Sequence, residues 1–189
     1  MSSSTTLTFL GRFVRNPRQV GAVVPSSPAL ARAMVRGLDV AADRSVVELG
    51  PGTGALTQTI LRHLTRPDRY LGIELNRRFV EHLRRRFPGA PFVHGCAQDA
   101  DRHHAETDLP TVGAVLCGLP FASLDDDVQD GVVDSLARLL PAQGQFRTFQ
   151  YVHAYRLPAA RRFRRRMDRS SARANAAPRS ASTSPPPTS

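Results

Sequence analysis

The sequence predicts an α/β fold: a parallel sheet with helices on both faces. Two observations predict it. Short runs of apolar, aromatic and β-branched residues, Ser45–Leu49, Tyr70–Leu75, Pro91–His94, Val112–Cys117 and Gln145–Val152, alternate with stretches of helical apolar spacing. The first run ends in Glu48-Leu49 and breaks into Gly50-Pro51-Gly52-Thr53-Gly54 before the helical segment that opens at Ala55. A strand that enters a glycine turn and leaves as a helix is a nucleotide-binding device. Bare Cα atoms let the backbone approach a ligand, and the helix N-terminus offers free N–H groups.

The elements follow in order. Residues 1–6 are polar. Leu7–Arg15 reads as a short amphipathic helix, with Phe9, Leu10, Phe13 and Val14 on one face and Arg12 and Arg15 beside it. Asn16-Pro17 ends it, and Val20–Val24 is extended. Ser26-Ser27-Pro28 carries the signature of a helix start, and a second helix runs through Leu30, Ala33, Met34 and Leu38. Residues 1–40 thus form an N-terminal helical segment and 41–169 the nucleotide-binding domain. Within the latter, helices are expected over Ala55–Leu64, from Asn76 to the Pro88-Gly89 stop, over Asp126–Leu140, and as a basic helix over Ala159–Arg169. Gln98–Thr111 is polar and supports at most a weak helix. Residues 170–189 have no apolar periodicity and are expected to be a disordered tail.

At 189 residues the chain is expected to form one domain with a real core. No stretch approaches the ~20 apolar residues of a membrane span, and the N-terminus lacks the apolar region of a signal peptide. A cytoplasmic protein is therefore expected. The net charge of +10 is uneven. All 26 basic residues are Arg, and residues 156–189 hold nine of them against one Asp. Such a tail suits acidic lipid or nucleic acid; a GC-rich coding sequence explains the Lys-free composition equally well. Cys96 and Cys117 lack metal-ligand spacing and read as reduced thiols. No metal site is expected.

Candidate site residues fall at strand ends, where doubly wound sheets bind their ligands. Glu74, with Leu75 beside it, closes the second strand 20 residues after Gly54, a spacing suited to a carboxylate that accepts ribose hydroxyls. The third strand ends in Gly95-Cys96-Ala97-Gln98-Asp99, the fourth in Cys117-Gly118-Leu119-Pro120-Phe121. The fifth carries Tyr151 and His153 on one side. There Tyr151 could meet a substrate amine or head group, and His153 could accept a proton or bind phosphate.

The run Glu48-x-Gly50-x-Gly52-x-Gly54 resembles motif I of class I S-adenosylmethionine (SAM) methyltransferases, whose Rossmann-like sheet has seven strands. Nothing after Val152 supplies the last two, so the terminal strands are expected to be missing, through trimming or a frameshift. The resemblance implies SAM as cofactor. Glu48 would attract its methionine amine directly or through water, Gly50, Gly52 and Gly54 its carboxylate, and Glu74 its ribose. Adenine would fall to the backbone at Cys96-Ala97 or to Asp99, because Cys96 stands where many SAM enzymes carry an Asp. Gly118-Leu119-Pro120-Phe121 is similar to the Asn-Leu-Pro-Tyr/Phe motif of adenine-N6 methyltransferases, among them the ribosomal RNA adenine dimethyltransferases. In those enzymes the Asn accepts hydrogen bonds from the target amine and the aromatic ring stacks on the base. Gly118 replaces that Asn, which points away from adenine toward an aliphatic amine in a backbone-lined pocket.

Together with the entry segment Phe9–Pro17 and Gly21–Ser27, Gly72–Asn76 and Phe149-Gln150-Tyr151, these residues resemble the bacterial phospholipid N-methyltransferases over roughly residues 7–168. That resemblance implies methyl transfer to a lipid amine such as phosphatidylethanolamine, with the Leu7–Arg15 helix either in the membrane interface or packed as a lid. It implies a peripheral position on the inner face of the cell membrane, with the Arg161–Arg169 cluster adding attraction to an anionic surface. The alternatives are an rRNA adenine N6-methyltransferase, a small-molecule methyltransferase and an inactive truncated relative.

Overall fold

The computed structural model describes residues 28–38, 40–41, 43–149 and 155–176. The expected helix at Leu7–Arg15, the extended Val20–Val24, and Gln150, Tyr151 and His153 lie outside the described residues. The elements are α1 (Pro28–Val35), β1 (Ser45–Leu49), α2 (Ala55–His63), β2 (Tyr70–Glu74), α3 (Arg77–Arg86), β3 (Phe92–His94), α4 (Ala100–Ala105), β4 (Val112–Cys117), α5 (Asp126–Leu139), β5 (Gln145–Thr148) and α6 (Pro158–Ala176).

The five strands form one parallel sheet in the order β3-β2-β1-β4-β5. The chain walks outward from β1 to β3, then crosses to the other side of β1 for β4 and β5. The direction therefore reverses between β1 and β4, and the crevice beyond their carboxyl ends is where a doubly wound sheet binds ligands. The backbone ladder continues past the strand ends there: Gly50 N–H donates to Ile73 O at 2.9 Å and Gly118 N–H to Leu49 O at 2.9 Å.

Strand alternation divides the core in two. Val46, Tyr70, Phe92, Ala114 and Leu116 face α1, α2 and α3, packing on Met34, Leu56, Ile60, Val80 and Leu83. Val47, Leu49, Leu71, Ile73, Val115 and Cys117 face the other way, onto Ala100, Val128, Val132, Leu136 and Phe163 of α4, α5 and α6. All five central β1 residues are buried, as a strand covered on both faces requires.

The caps explain where helices begin and end. The Asn76 side chain accepts from Arg78 N–H at 2.9 Å and starts α3, and Arg84, Arg85 and Arg86 complement its C-terminal dipole. The end of α1 is closed from outside. The Arg147 guanidinium on β5 donates to the carbonyls of Met34 (3.1 Å), Arg36 (2.7 Å) and Gly37 (2.8 Å). One side chain thus satisfies three orphan carbonyls and fixes the N-terminal helix to the sheet.

Three sequence expectations change. The polar Gln98–Thr111 stretch contains a real helix, α4, preceded by a turn at Ala97–Asp99. Its hydrophobic content is small, but Ala100 is fully buried and Asp101 accepts from Ser135 Oγ at 2.8 Å and Arg138 Nε at 2.5 Å on α5. The last helix extends to Ala176, so the tail boundary set at residue 170 falls inside it. Strands β2 and β3 are each shorter than expected by one residue, with Leu75 and Pro91 outside the ladder.

Candidate active site

The glycine turn between β1 and α2 is the centre of the crevice. Gly50, Gly52 and Gly54 have φ values of 72°, 57° and 84°, the left-handed region that glycine adopts without strain. Each glycine answers a different need. A Cβ on Gly50 would come within 2.7 Å of Leu119 Cδ2, and one on Gly54 within 2.7 Å of the Phe87 ring. A Cβ on Gly52 would meet nothing within 4 Å. Gly50 and Gly54 let β4's exit loop and α3 close on the turn, while Gly52 faces open space.

Glu74 ties β2 to this turn. Its Oε2 accepts from Gly52 N–H at 2.9 Å and its Oε1 from Asn76 N–H at 2.8 Å. Burial raises its pKa, against the pull of those backbone donors. Each oxygen has accepting capacity left for a hydroxyl donor.

Glu48 occupies a different place from the one expected. Its side chain is 1% exposed, and its Oε2 accepts from Thr57 Oγ1 at 2.8 Å and Tyr70 Oη at 2.5 Å. It lies beneath the glycine turn and joins β1, β2 and α2, so it shapes the turn from below and does not line the crevice. Desolvation raises its pKa to about 7, opposed by the two hydroxyl donors and reinforced by the charge of Glu74. Sequence reasoning missed Tyr70 and Thr57. The signal was Gly72: a Cβ there would fall 2.8 Å from Tyr70 Oη, so only glycine leaves room for the phenol to reach Glu48.

The loop after β3 is compact. Cys96 Sγ donates to Gln98 Oε1 at 3.3 Å, and Gln98 Nε2 reaches the Asp127 carbonyl at 3.3 Å. Burial raises the Cys96 pKa. Ala97 opens the short turn, and Asp99 pairs with Arg102 at 3.1 Å on the surface.

The loop after β4 forms another wall of the crevice. A Cβ on Gly118 would sit 3.0 Å from Gly50 O, so the two turns touch backbone to backbone. Leu119 packs over Gly50. Pro120 precedes a turn at Phe121–Ser123. Phe121, expected to present a ring to the acceptor, is 1% exposed and stacks on Phe163 of α6 with centroids 3.6 Å apart. Gln129, unnoticed in the sequence, is fully buried on α5 and donates from Nε2 to Phe121 O (2.7 Å) and Leu124 O (3.2 Å). Cys117 is fully buried with its thiol pushed up to about 12, so it is no nucleophile.

The structure thus brings Glu48, Gly50, Gly52, Gly54, Glu74, Gly118 and Leu119 together, and places Leu75, Cys96, Ala97, Asp99, Pro120 and Phe121 in the adjoining loops. Among the described residues no group of His, Cys, Asp and Glu could hold a metal ion.

A family described as a methyltransferase domain matches residues 47–146, which run from β1 to β5 and include every turn just described. The chain belongs to the class I SAM-dependent methyltransferases. Among its relatives, an ornithine lipid N-methyltransferase of Singulisphaera acidiphila is 31% identical over 141 residues, 73% of each chain. A ribosomal RNA small subunit methyltransferase A of Acidobacterium capsulatum is 35% identical over 88 residues, 41% of this chain and 30% of that one. Solved structures share the fold. A TehB-like SAM-dependent methyltransferase from Corynebacterium glutamicum has a TM-score of 0.53 at 14% identity, over 89% of this chain and 84% of that one. TrmN from Thermus thermophilus has a TM-score of 0.56 at 17% identity, over 82% and 45%.

The methyltransferase's turn fits SAM on its own geometry. The open space over Gly52 and the residual acceptor capacity of Glu74 lie side by side, joined by the Gly52–Glu74 hydrogen bond. Residues Gly50 to Gly54 would hold the methionine end and Glu74 the ribose.

Proposed function

We propose that this methyltransferase transfers methyl groups to the primary amine of a lipid, such as phosphatidylethanolamine or an amino-acid-headed lipid. Bound SAM supplies an electrophilic methyl group; the chain supplies proximity, orientation and a dry pocket. The observation that carries the reading is the contact between Gly118 and Gly50. A Gly118 Cβ would sit 3.0 Å from Gly50 O, so a side chain there would require the glycine turn to give by a few tenths of an ångström, and Gly118 itself offers no amide to read an adenine amino group.

What remains at the turn is backbone. The carbonyl of Cys117 accepts from Thr148 Oγ1, that of Leu119 from Phe121 N–H, that of Pro120 from Ser123 N–H, and that of Phe121 from Gln129. The Gly118 carbonyl has no donor among the described residues, and in this reading it accepts one N–H of the acceptor amine and aims its lone pair. The ornithine lipid relative, matched over 73% of both chains, supports the same class of acceptor.

A membrane-borne substrate asks for a protein that reaches the bilayer surface. No helix among the described residues is long and apolar enough to cross a membrane. Peripheral contact would rest on the Leu7–Arg15 segment and on α6, where Arg161, Arg165 and Arg169 are exposed in the i, i+4, i+8 relation of one helix face. Tyr151 and His153 remain proposed contacts for the head group.

The second reading, an rRNA adenine methyltransferase, is favoured by the relatives that are ribosomal RNA small subunit methyltransferases, the Acidobacterium capsulatum protein among them. Incubating the protein with methyl-labelled SAM and a total cell extract, then separating lipid, RNA and small molecules, decides between them. Label in the lipid fraction is expected. Label in RNA selects the second reading, and label in small molecules excludes both.

A further inference from the structure

The exit loop of β4 is held from two directions. From beneath, Gln129 Nε2 fixes the carbonyls of Phe121 and Leu124, so the turn cannot swing. From above, Phe163 of α6 lies flat on the Phe121 ring, with centroids 3.6 Å apart and planes inclined by 16°. A second ring, Phe146 of β5, meets Phe163 at its edge, 6.4 Å between centroids, and closes the far side.

The helix that carries Phe163 is itself anchored. Ala160 is fully buried and Phe163 is 2% exposed, and Met167 packs on the same core one turn further on. Two ion pairs, Asp126–Arg162 and Asp130–Arg166, join α5 to α6 at matching i, i+4 positions on both helices. Hydrophobic contact on one side and charge pairing on the other keep the Phe163 ring where it is.

The stacked face of Phe121 is therefore filled from within the chain. An aromatic face at van der Waals separation accommodates one flat partner per side, and base–aromatic stacking is worth about 1–3 kcal/mol to a nucleobase ligand. With Phe163 in place the Phe121 ring is 1% exposed, so it offers no face to a flat heteroaromatic acceptor entering beside Gly118. An aliphatic amine needs no such surface.

We propose that Phe163 is a specificity-determining residue: by stacking on Phe121 it excludes planar aromatic acceptors and restricts the site to aliphatic amines. The inference rests on the reading that the β4 exit loop is the acceptor wall. It makes α6, which lies wholly outside the matched methyltransferase region of residues 47–146, a selectivity element of this enzyme.

The test is a titration with the fluorescent base 2-aminopurine of protein saturated with S-adenosylhomocysteine, so that the cofactor site is filled. The wild type is expected to show no saturable signal. Phe163→Ala, with an unchanged S-adenosylhomocysteine Kd, is expected to bind the base at least about tenfold more tightly, within the range of one stacking contact. The double variant Phe163→Ala/Phe121→Leu should lose that binding, because the partner ring is gone. Should the alanine variant not fold, Phe163→Leu, which keeps bulk but no flat ring, should gain at least about threefold. A folded variant without gain overturns the proposal, as does a gain that survives the loss of the Phe121 ring. The titration contains no lipid, so its outcome stands apart from the lipid-amine reading, which fails if the wild type transfers no label to lipid.

Discussion

The buried carboxyl of Glu48 makes the stability of this enzyme depend on pH in a way that one substitution removes. Folding lifts the Glu48 pKa from 4.5 to about 7, chiefly by desolvation. At 1.36 kcal/mol per unit, that difference amounts to roughly 3 kcal/mol. The folded state holds the Glu48 proton more tightly than the unfolded state does. Stability from this group is therefore full below pH 4.5 and is lost as pH rises through 7. Glu48→Gln keeps an oxygen to accept from Thr57 and Tyr70 and removes the titration. Urea unfolding of the cofactor-free protein, followed from pH 4.5 to 8, measures the effect. The wild type should lose about 3 kcal/mol relative to the glutamine variant across this range and then run parallel to it. Glu74 contributes a slope of the same sign and His104, with its pKa lowered by burial, one of the opposite sign. Both are present in both proteins, so His104 drops out of the difference and Glu74 drops out apart from its charge coupling to Glu48. Curves that stay parallel throughout would refute the placement of Glu48 as a buried acid beneath the turn.

Three further substitutions probe the crevice. Gly54→Ala forces a side chain into left-handed backbone at φ 84° and against Phe87 and Leu83; we expect a loss of about 2 kcal/mol or more by thermal or urea unfolding. Glu74→Ala removes the carboxylate that accepts from Gly52 and Asn76 N–H, and SAM affinity measured by calorimetry should fall by at least about tenfold. Gln129→Leu removes the side-chain donor to the Phe121 and Leu124 carbonyls, leaving Phe121 O only the long bond from Leu124 N–H, at a cost of about 1–3 kcal/mol. Because those carbonyls belong to the acceptor wall, its acceptor KM should rise while its SAM Kd holds.

The parts of the fold legible in the sequence were those where one local rule acts alone. Ser45–Leu49 and Val112–Cys117 match their strands to the residue because both are central, covered on both faces and bounded by sharp turns. The glycine spacing and the distance to Glu74 were equally readable, since left-handed backbone demands glycine and the strand lengths fix the rest. What could not be read depends on partners remote in the chain. α4 exists because Asp101 meets Ser135 and Arg138 on α5, 34 and 37 residues away. The position of Glu48 follows from Tyr70, whose phenol reaches it only because Gly72 is bare. The Leu119-Pro120-Phe121 pattern resembles a motif whose ring stacks on the target base, yet here the ring is covered by Phe163, 42 positions later, on a helix whose composition looked merely basic. Gln129 looked like a polar residue between apolar ones and is in fact the donor that fixes the acceptor loop.

The most direct test of the central claim is transfer itself. The full chain is incubated with methyl-labelled SAM, phosphatidylethanolamine vesicles and deproteinised ribosomal RNA in one vessel, and label is counted in each after extraction. The account predicts label on the lipid amine, reduced with Glu74→Ala at SAM concentrations below its Kd, and none in RNA. Label in RNA, or none in lipid from protein shown by calorimetry to bind SAM, would contradict it.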